Sequence, residues 1–180
     1  MQLVNNIKGY GFIAIFLHWL MAILIIGLFV LGEYMVDLTY YDAWYIKAPD
    51  LHRSTGILLG GLLLFRLVWR LMNTYPDGIG KAWEQWVAIA VHRSFYLLLV
   101  VIVVSGYLIS TADGQAIAVF DFFTVPATVY GLENQADIAG EVHEWSTHIM
   151  IILLVLHSLA ALKHHFINHD ATLRRILSCK

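Results

Sequence analysis

Residues 143–166 read HEWSTHIMIILLVLHSLAALKHHF, an apolar run with histidine at its start, at position 157 and again near its end. A bilayer core takes about 20 mostly apolar residues of helix, and this stretch meets that length. A water-soluble helix would alternate a polar face with an apolar one. Between Glu144 and Lys163 this run is apolar all round apart from a few histidines and hydroxyls, which makes it a membrane span carrying buried chemistry.

Working outward, three further runs have the same character: about 12–31, about 52–72 and about 87–109. The whole chain is 59% hydrophobic and only 13% charged over 180 residues, which excludes an ordinary soluble domain. The expected architecture is all-α, a single integral-membrane four-helix bundle spanning 1–180. The segment 73–78 (NTYPDG) is a turn-rich break, because proline lacks a donor and glycine admits positive φ. Residues 111–140 are expected to form an external cap, with the apolar stretch Ile117 to Val125 as a short interfacial helix ahead of Pro126. The first run lacks a small-residue exit site and is longer than a signal-peptide core, so it is expected to stay in the mature protein.

Charge sorts by side of the membrane. On the N-terminal side lie nine of the eleven cations (Lys8, Arg66, Arg70, Lys81, Arg93, Lys163, Arg174, Arg175 and Lys180) against three acids, a net of +6. The opposite side holds two cations, Lys47 and Arg53, against ten acids, a net of −8. Positively charged loops stay inside, so both termini are expected in the cytoplasm. The single cysteine, Cys179, allows neither a disulfide framework nor a C-x-x-C-H haem attachment, so any haem must be held noncovalently. Lipidation of Cys179 is the alternative use, although no C-a-a-X box surrounds it.

Ionisable groups inside a membrane are costly and mark function. His18, His52, His92, His143, His148 and His157 all fall in or at the ends of the spans. His143 and His157 are fourteen residues apart, which leaves them about 40° apart in azimuth and roughly 21 Å apart along a helix. They occupy one face at two depths. His148 points elsewhere, and its plainer reading is a hydrogen bond to a neighbouring helix. Depth pairs His18 with His157 in the inner leaflet and His52 with His143 in the outer. Two imidazoles from facing helices suit the axial positions of haem iron, whereas zinc wants three or four ligands at one depth. Gly56 and the neighbouring Gly60 and Gly61 remove side chains below His52, giving a strip for a porphyrin or for simple helix packing. Arg53 is expected to serve the propionates of an outer haem, and Arg66 or Arg70 an inner haem or a quinone head group. Snorkelling to phospholipid is the other use of these arginines.

These residues resemble the bacterial cytochrome b561 family, which is related to the di-haem b subunits of nickel–iron hydrogenase and formate dehydrogenase. The resemblance rests on His18-Trp19-Leu20, on His52 with Arg66 and Arg70, on His92, on His143-Glu144 with His157, and on His164-His165. It implies two b-type haems on the four paired histidines, electron exchange with ubiquinone, and a multi-pass protein of the bacterial inner membrane. His92 matches a family histidine and is the rival ligand; its other role is contact with a propionate or a quinone. His164, His165 and His169 are expected to be solvated or lipid-facing.

Three other functions stay open. The chain could be an electron-transferring anchor for a basic periplasmic partner or donor, which its negative outer face suits. It could be a superoxide oxidase, one characterised family activity, although a face at −8 repels an anionic substrate. A haem-free metal or proton transporter fits less well, since intramembrane acids between the spans are absent. Membrane lipid is an expected partner and nucleic acid is not.

Overall fold

A computed structural model describes residues 2–7 and 9–177. Lys8, Lys180 and Cys179, with its proposed lipidation, lie outside them. The elements run α1 (Phe12–Val36), α2 (Lys47–Met72), α3 (Ala82–Ser110), β1 (Ile117–Val119), β2 (Phe123–Val125), α4 (Gln135–Phe166) and α5 (Thr172–Leu177). The protein is mostly helical, and α1, α2, α3 and α4 are each long and apolar enough to cross a membrane. Each span extends beyond its apolar run. His52 therefore lies in the second turn of α2, and His143 lies two turns into α4.

The helix ends are secured by local hydrogen bonds. The Glu84 carboxylate accepts from the Lys81 backbone N–H at 2.9 Å and from Lys163 Nζ at 3.2 Å, tying the start of α3 to the end of α4. At the opposite end Gln135 Nε2 donates to the carbonyls of Leu108 (3.0 Å) and Val129 (3.1 Å), fixing the first turn of α4 against the end of α3. Backbone packing follows chain order, α1 on α2, α2 on α3 and α3 on α4, and the last of these is the most extensive contact. Backbone contact between α1 and α4, and between α2 and α4, is sparse by comparison.

The core cluster is small and comes from all four spans. Met21, Leu59, Leu63, Leu99 and Met150 are buried together, with Leu24, Ile25 and Leu28 packed against them. Most other large apolar side chains face outward, among them Ile23, Leu64, Leu97 and Ile152. On a soluble protein such a surface would drive aggregation; here it faces hydrocarbon.

The external cap differs from expectation. Residues 117–125 form an antiparallel hairpin, Ile117 paired with Val125 and Val119 with Phe123, instead of an interfacial helix. The stretch is too short for a stable helix and rich in β-branched residues. Its turn is made by Phe120 and Asp121, both at positive φ (47° and 58°), with Phe122 N–H donating to the Val119 carbonyl at 3.0 Å. Ile117 and Val119 are buried. Ser54 on α2 stitches the hairpin down: its hydroxyl donates to the Ala118 carbonyl (3.3 Å) and accepts from Phe120 N–H (3.2 Å). The last residues of the expected cap, 135–140, belong to α4.

Candidate functional site

The same fourteen-residue interval recurs once in every span: His18 to Gly32, His52 to Arg66, His92 to Gly106 and His143 to His157. Each pair shares a helix face at two levels roughly 21 Å apart. The bundle turns all four faces inward, so the inner level collects His18, Arg66, His92 and His157, and the outer level Gly32, His52, Gly106 and His143. Leu59, Leu99 and Met150 lie midway along their intervals and are buried in the core cluster. An apolar plug therefore separates two polar levels.

At the outer level the His52 and His143 ring centres are 6.2 Å apart, with planes at 70°. His143 Nδ1 is 2.9 Å from the Ile102 carbonyl and 3.2 Å from Ser105 Oγ. A carbonyl can only accept, so Nδ1 carries the proton and donates, leaving Nε2 bare. Gly32 and Gly106 back the two rings. A Cβ on Gly32 would meet His52 Cε1 at 3.4 Å, and one on Gly106 would meet His143 Cε1 at 3.1 Å and Nδ1 at 3.3 Å. Gly56 and Gly140, one turn from His52 and His143, have open space where a Cβ would project. Arg53 contacts Asp50 on its own helix. Both line an outer cavity of about 510 Å³ with Trp44, Lys47, Ser110 and Asp121.

At the inner level His18 and His157 have ring centres 6.4 Å apart, with planes at 62°. His92 is also here, 5.4 Å from His157, and its Nδ1 is buried with no hydrogen bond of good geometry among the described residues. Arg66 Nη2 is 3.3 Å from His18 Nδ1. Guanidinium only donates, so this contact makes His18 Nδ1 an acceptor. Arg70 lies over two rings, with Cζ 5.0 Å from the centre of Tyr75 and 5.3 Å from that of Tyr96. Tyr10, just ahead of α1, packs edge-on against Tyr75 at 6.3 Å. Burial, and next the neighbouring Tyr75, raises the Tyr10 phenol above its ordinary value.

The structure thus brings together His18 with His157 and His52 with His143, with Arg66, His92 and Gly56 beside them. Arg53 stands at the rim of the outer level, and Arg70 is held among tyrosines. Among the described residues no three His, Cys, Asp or Glu side chains converge to hold one ion. Gly32, Gly106 and Ser105 escaped the sequence reading, yet stepping fourteen residues from His18 and His92 lands on the two glycines. His148 approaches Glu33 of α1, with Nε2 3.8 Å from Oε1. His164 is not simply solvated: its Nδ1 is 2.6 Å from Asp170 Oδ2.

Four apolar spans with paired histidines at two depths define a membrane protein of the cytochrome b kind. A profile of prokaryotic cytochrome b561 matches residues 9–178, and the chain belongs to that family. It is 48% identical over 179 residues to cytochrome b561 homolog 2 of Escherichia coli (strain K12), covering 98% of this chain and 95% of that one. It is 24% identical over 165 residues to cytochrome b561 homolog 1 of the same organism, covering 91% and 93% of the two chains. It is 26% identical over 180 residues to "Probable superoxide oxidase CybB" of Yersinia pestis, covering 96% and 98%. The chain is accordingly a multi-pass inner-membrane protein of an electron-transferring, haem b family.

Proposed function

We propose that this chain, as one unit, is a di-haem b cytochrome that moves electrons across two levels of the inner membrane and exchanges them with the quinone pool. The observation that carries this reading is the spacing of the two histidine pairs. Two imidazoles bound to one metal through Nε2 at about 2 Å each have ring centres a little over 6 Å apart. The pairs stand at 6.2 and 6.4 Å, while His92 stands closer to His157, at 5.4 Å. Each pair also bridges helices with only sparse backbone contact, α2 with α4 and α1 with α4, an arrangement that suits a flat group between them.

Haem iron held by His52 with His143, and by His18 with His157, would supply one-electron redox chemistry at each level. The protein's own residues set the conditions. The Ile102 carbonyl fixes the His143 tautomer with Nε2 bare, and Gly32 and Gly106 set the depth of the two outer rings. Arg66 is suited to an anionic propionate; drawn off to one, it would leave His18 Nδ1 free to carry the proton and Nε2 free for iron. The buried His92 Nδ1 is suited to the same anion, or to a quinone oxygen. Arg53 at the outer rim and the open space beside Gly56 are suited to the outer group. Arg70, already engaged by Tyr75 and Tyr96, serves best to stiffen the inner end. The central plug keeps water from the space between levels, which lowers the local dielectric.

The lopsided charge supports a topology with both termini in the cytoplasm. Purified protein tests the reading: two haems per chain and sharp low-spin bands on dithionite reduction are expected. A colourless chain, or one haem, would overturn it. The net charge of −8 outside favours one second reading, a membrane anchor that accepts electrons from a basic periplasmic donor protein. Copurification of such a protein, able to reduce the haems, would establish that form.

A further inference from the structure

Trp19 follows His18 in the chain but belongs to neither histidine level, and at 41% exposure it stands on the outside of α1. Two contacts meet on it. Its ring is edge-on to the His18 imidazole, with centres 5.4 Å apart and planes at 77°. Its Nε1 donates to the Ile176 carbonyl at 2.9 Å. The carbonyls in the last turn of a helix have no partner within that helix, and Ile176 lies in the last turn of α5. The indole therefore caps α5.

That cap matters because α5 has only six residues, far below the roughly 12–15 at which an isolated helix begins to hold. It stands through its ties to the bundle. At its start Thr172 N–H donates to Asp170 Oδ1 at 2.8 Å, and Asp170 Oδ2 is 2.6 Å from His164 Nδ1 on α4. Arg175 Nη1 donates to the Asp77 carbonyl at 2.6 Å, in the loop ahead of α3. Trp19 supplies the tie to α1, so α5 bridges two helices whose own backbone contact is sparse. His18, in turn, is held by Arg66, with Nη2 3.3 Å from Nδ1, and by the Trp19 ring. If Arg66 turns to a propionate, the indole is what still steadies the His18 imidazole from its own helix. An edge-on ring pair is worth about two- to tenfold in an equilibrium constant.

We propose that Trp19 is a positioning residue for the inner axial ligand, and that docked α5 holds Trp19 in that position, so that the C-terminal helix and the inner haem are linked. The inference rests on the di-haem reading for the group bound at His18. Linkage is reciprocal: the factor by which docked α5 favours the inner haem is the factor by which that haem protects α5. The full chain in nanodiscs is compared as wild type, Trp19→Phe, Trp19→Leu, Asp170→Asn and Trp145→Phe, with His157→Ala and His143→Ala marking the inner and outer bands. Haem retention at each level, the position and midpoint of the inner band, and hydrogen exchange in 170–177 are read on each.

Trp19→Phe and Asp170→Asn are expected to speed exchange in 170–177 and to weaken inner-haem retention by about two- to tenfold, with the outer haem unchanged. Trp19→Leu, which loses the ring as well as the donor, should also shift the inner band and its midpoint, and Phe should restore them. Exchange in 170–177 should be faster in His157→Ala than in His143→Ala. Trp145, 70% exposed, is the control, and its Phe variant should match wild type. Unchanged exchange in Trp19→Phe would reduce Trp19 to an interfacial anchor and overturn the proposal. So would full inner-haem retention in Asp170→Asn despite faster exchange, or equal loss of both haems in Trp19→Phe. Should Trp19→Leu fail to accumulate, Trp19→Phe and Asp170→Asn decide. A wild type lacking the inner haem sinks the di-haem reading; a wild type that holds it without the linkage sinks this inference alone.

Discussion

Gly106 offers the sharpest test of the outer level, because its effect follows from two distances. A Cβ there falls 3.1 Å from His143 Cε1 and 3.3 Å from Nδ1, closer than ordinary van der Waals contact, so the ring must yield by a few tenths of an ångström. The same ring is anchored on its other side by the 2.9 Å contact from Nδ1 to the Ile102 carbonyl. Gly106→Ala must therefore twist His143 from its rotamer or stretch that hydrogen bond. A displaced rotamer costs about 0.5–1.5 kcal/mol, up to about tenfold in haem affinity. Gly106→Val should disrupt the anchor outright, and loss of such an outer-sphere contact weakens metal binding by roughly 10–100-fold. Gly32→Ala is the contrast: its Cβ would meet His52 Cε1 at 3.4 Å, an ordinary contact, and should be tolerated. Gly60→Ala controls for packing, since its Cβ meets only Val103, at 3.0 Å. Haem per chain and reduced-minus-oxidised spectra read the series. Full haem with unchanged bands in both Gly106 variants, or equal haem loss in Gly60→Ala, would refute the reasoning.

Four further outcomes are expected. His157→Ala should remove mainly the inner haem and His143→Ala mainly the outer one, resolved by redox titration of the bands; equal loss of both in each variant would contradict the pairing. A Cβ at Gly56 would project into open space, so Gly56→Leu should lower the outer haem content without lowering the yield of folded protein, and full haem loading would show that the group lies elsewhere. Superoxide should be a poor donor from outside, since the proposed topology sets ten acids against two cations on that face; oxidation near the diffusion limit at physiological salt would defeat that expectation. Burial alone would raise the Asp170 carboxyl, but hydrogen bonds from Thr172 and His164 prevail and hold it below its usual value. A lowered folded value means stabilisation present above the unfolded carboxylate range and lost as pH falls through the folded one. Asp170→Asn should accordingly speed hydrogen exchange in 170–177 at neutral pH, and unchanged protection would argue against this tether.

Much of the molecule is local geometry, and so was legible in the chain. Span length follows from bilayer thickness, and the two depths follow from fourteen residues at a fixed rise and turn, which is why His143 with His157 could be read without a partner helix. The glycines were legible in principle by the same step, but a glycine signals a close approach only when the approaching group is known. Gly32 and Gly106 acquire meaning from His52 and His143, which come from other helices. The hairpin at 117–125 departs from the expected helix because a short apolar run carries no period long enough to separate strand from helix, and its docking against α2 through Ser54 is a tertiary contact. Rotation of each helix about its axis is likewise a property of packing. Only the fold turns His148 toward Glu33, Arg66 toward His18 and the Ile102 carbonyl toward His143, because no spacing within one helix records the azimuth of its neighbour.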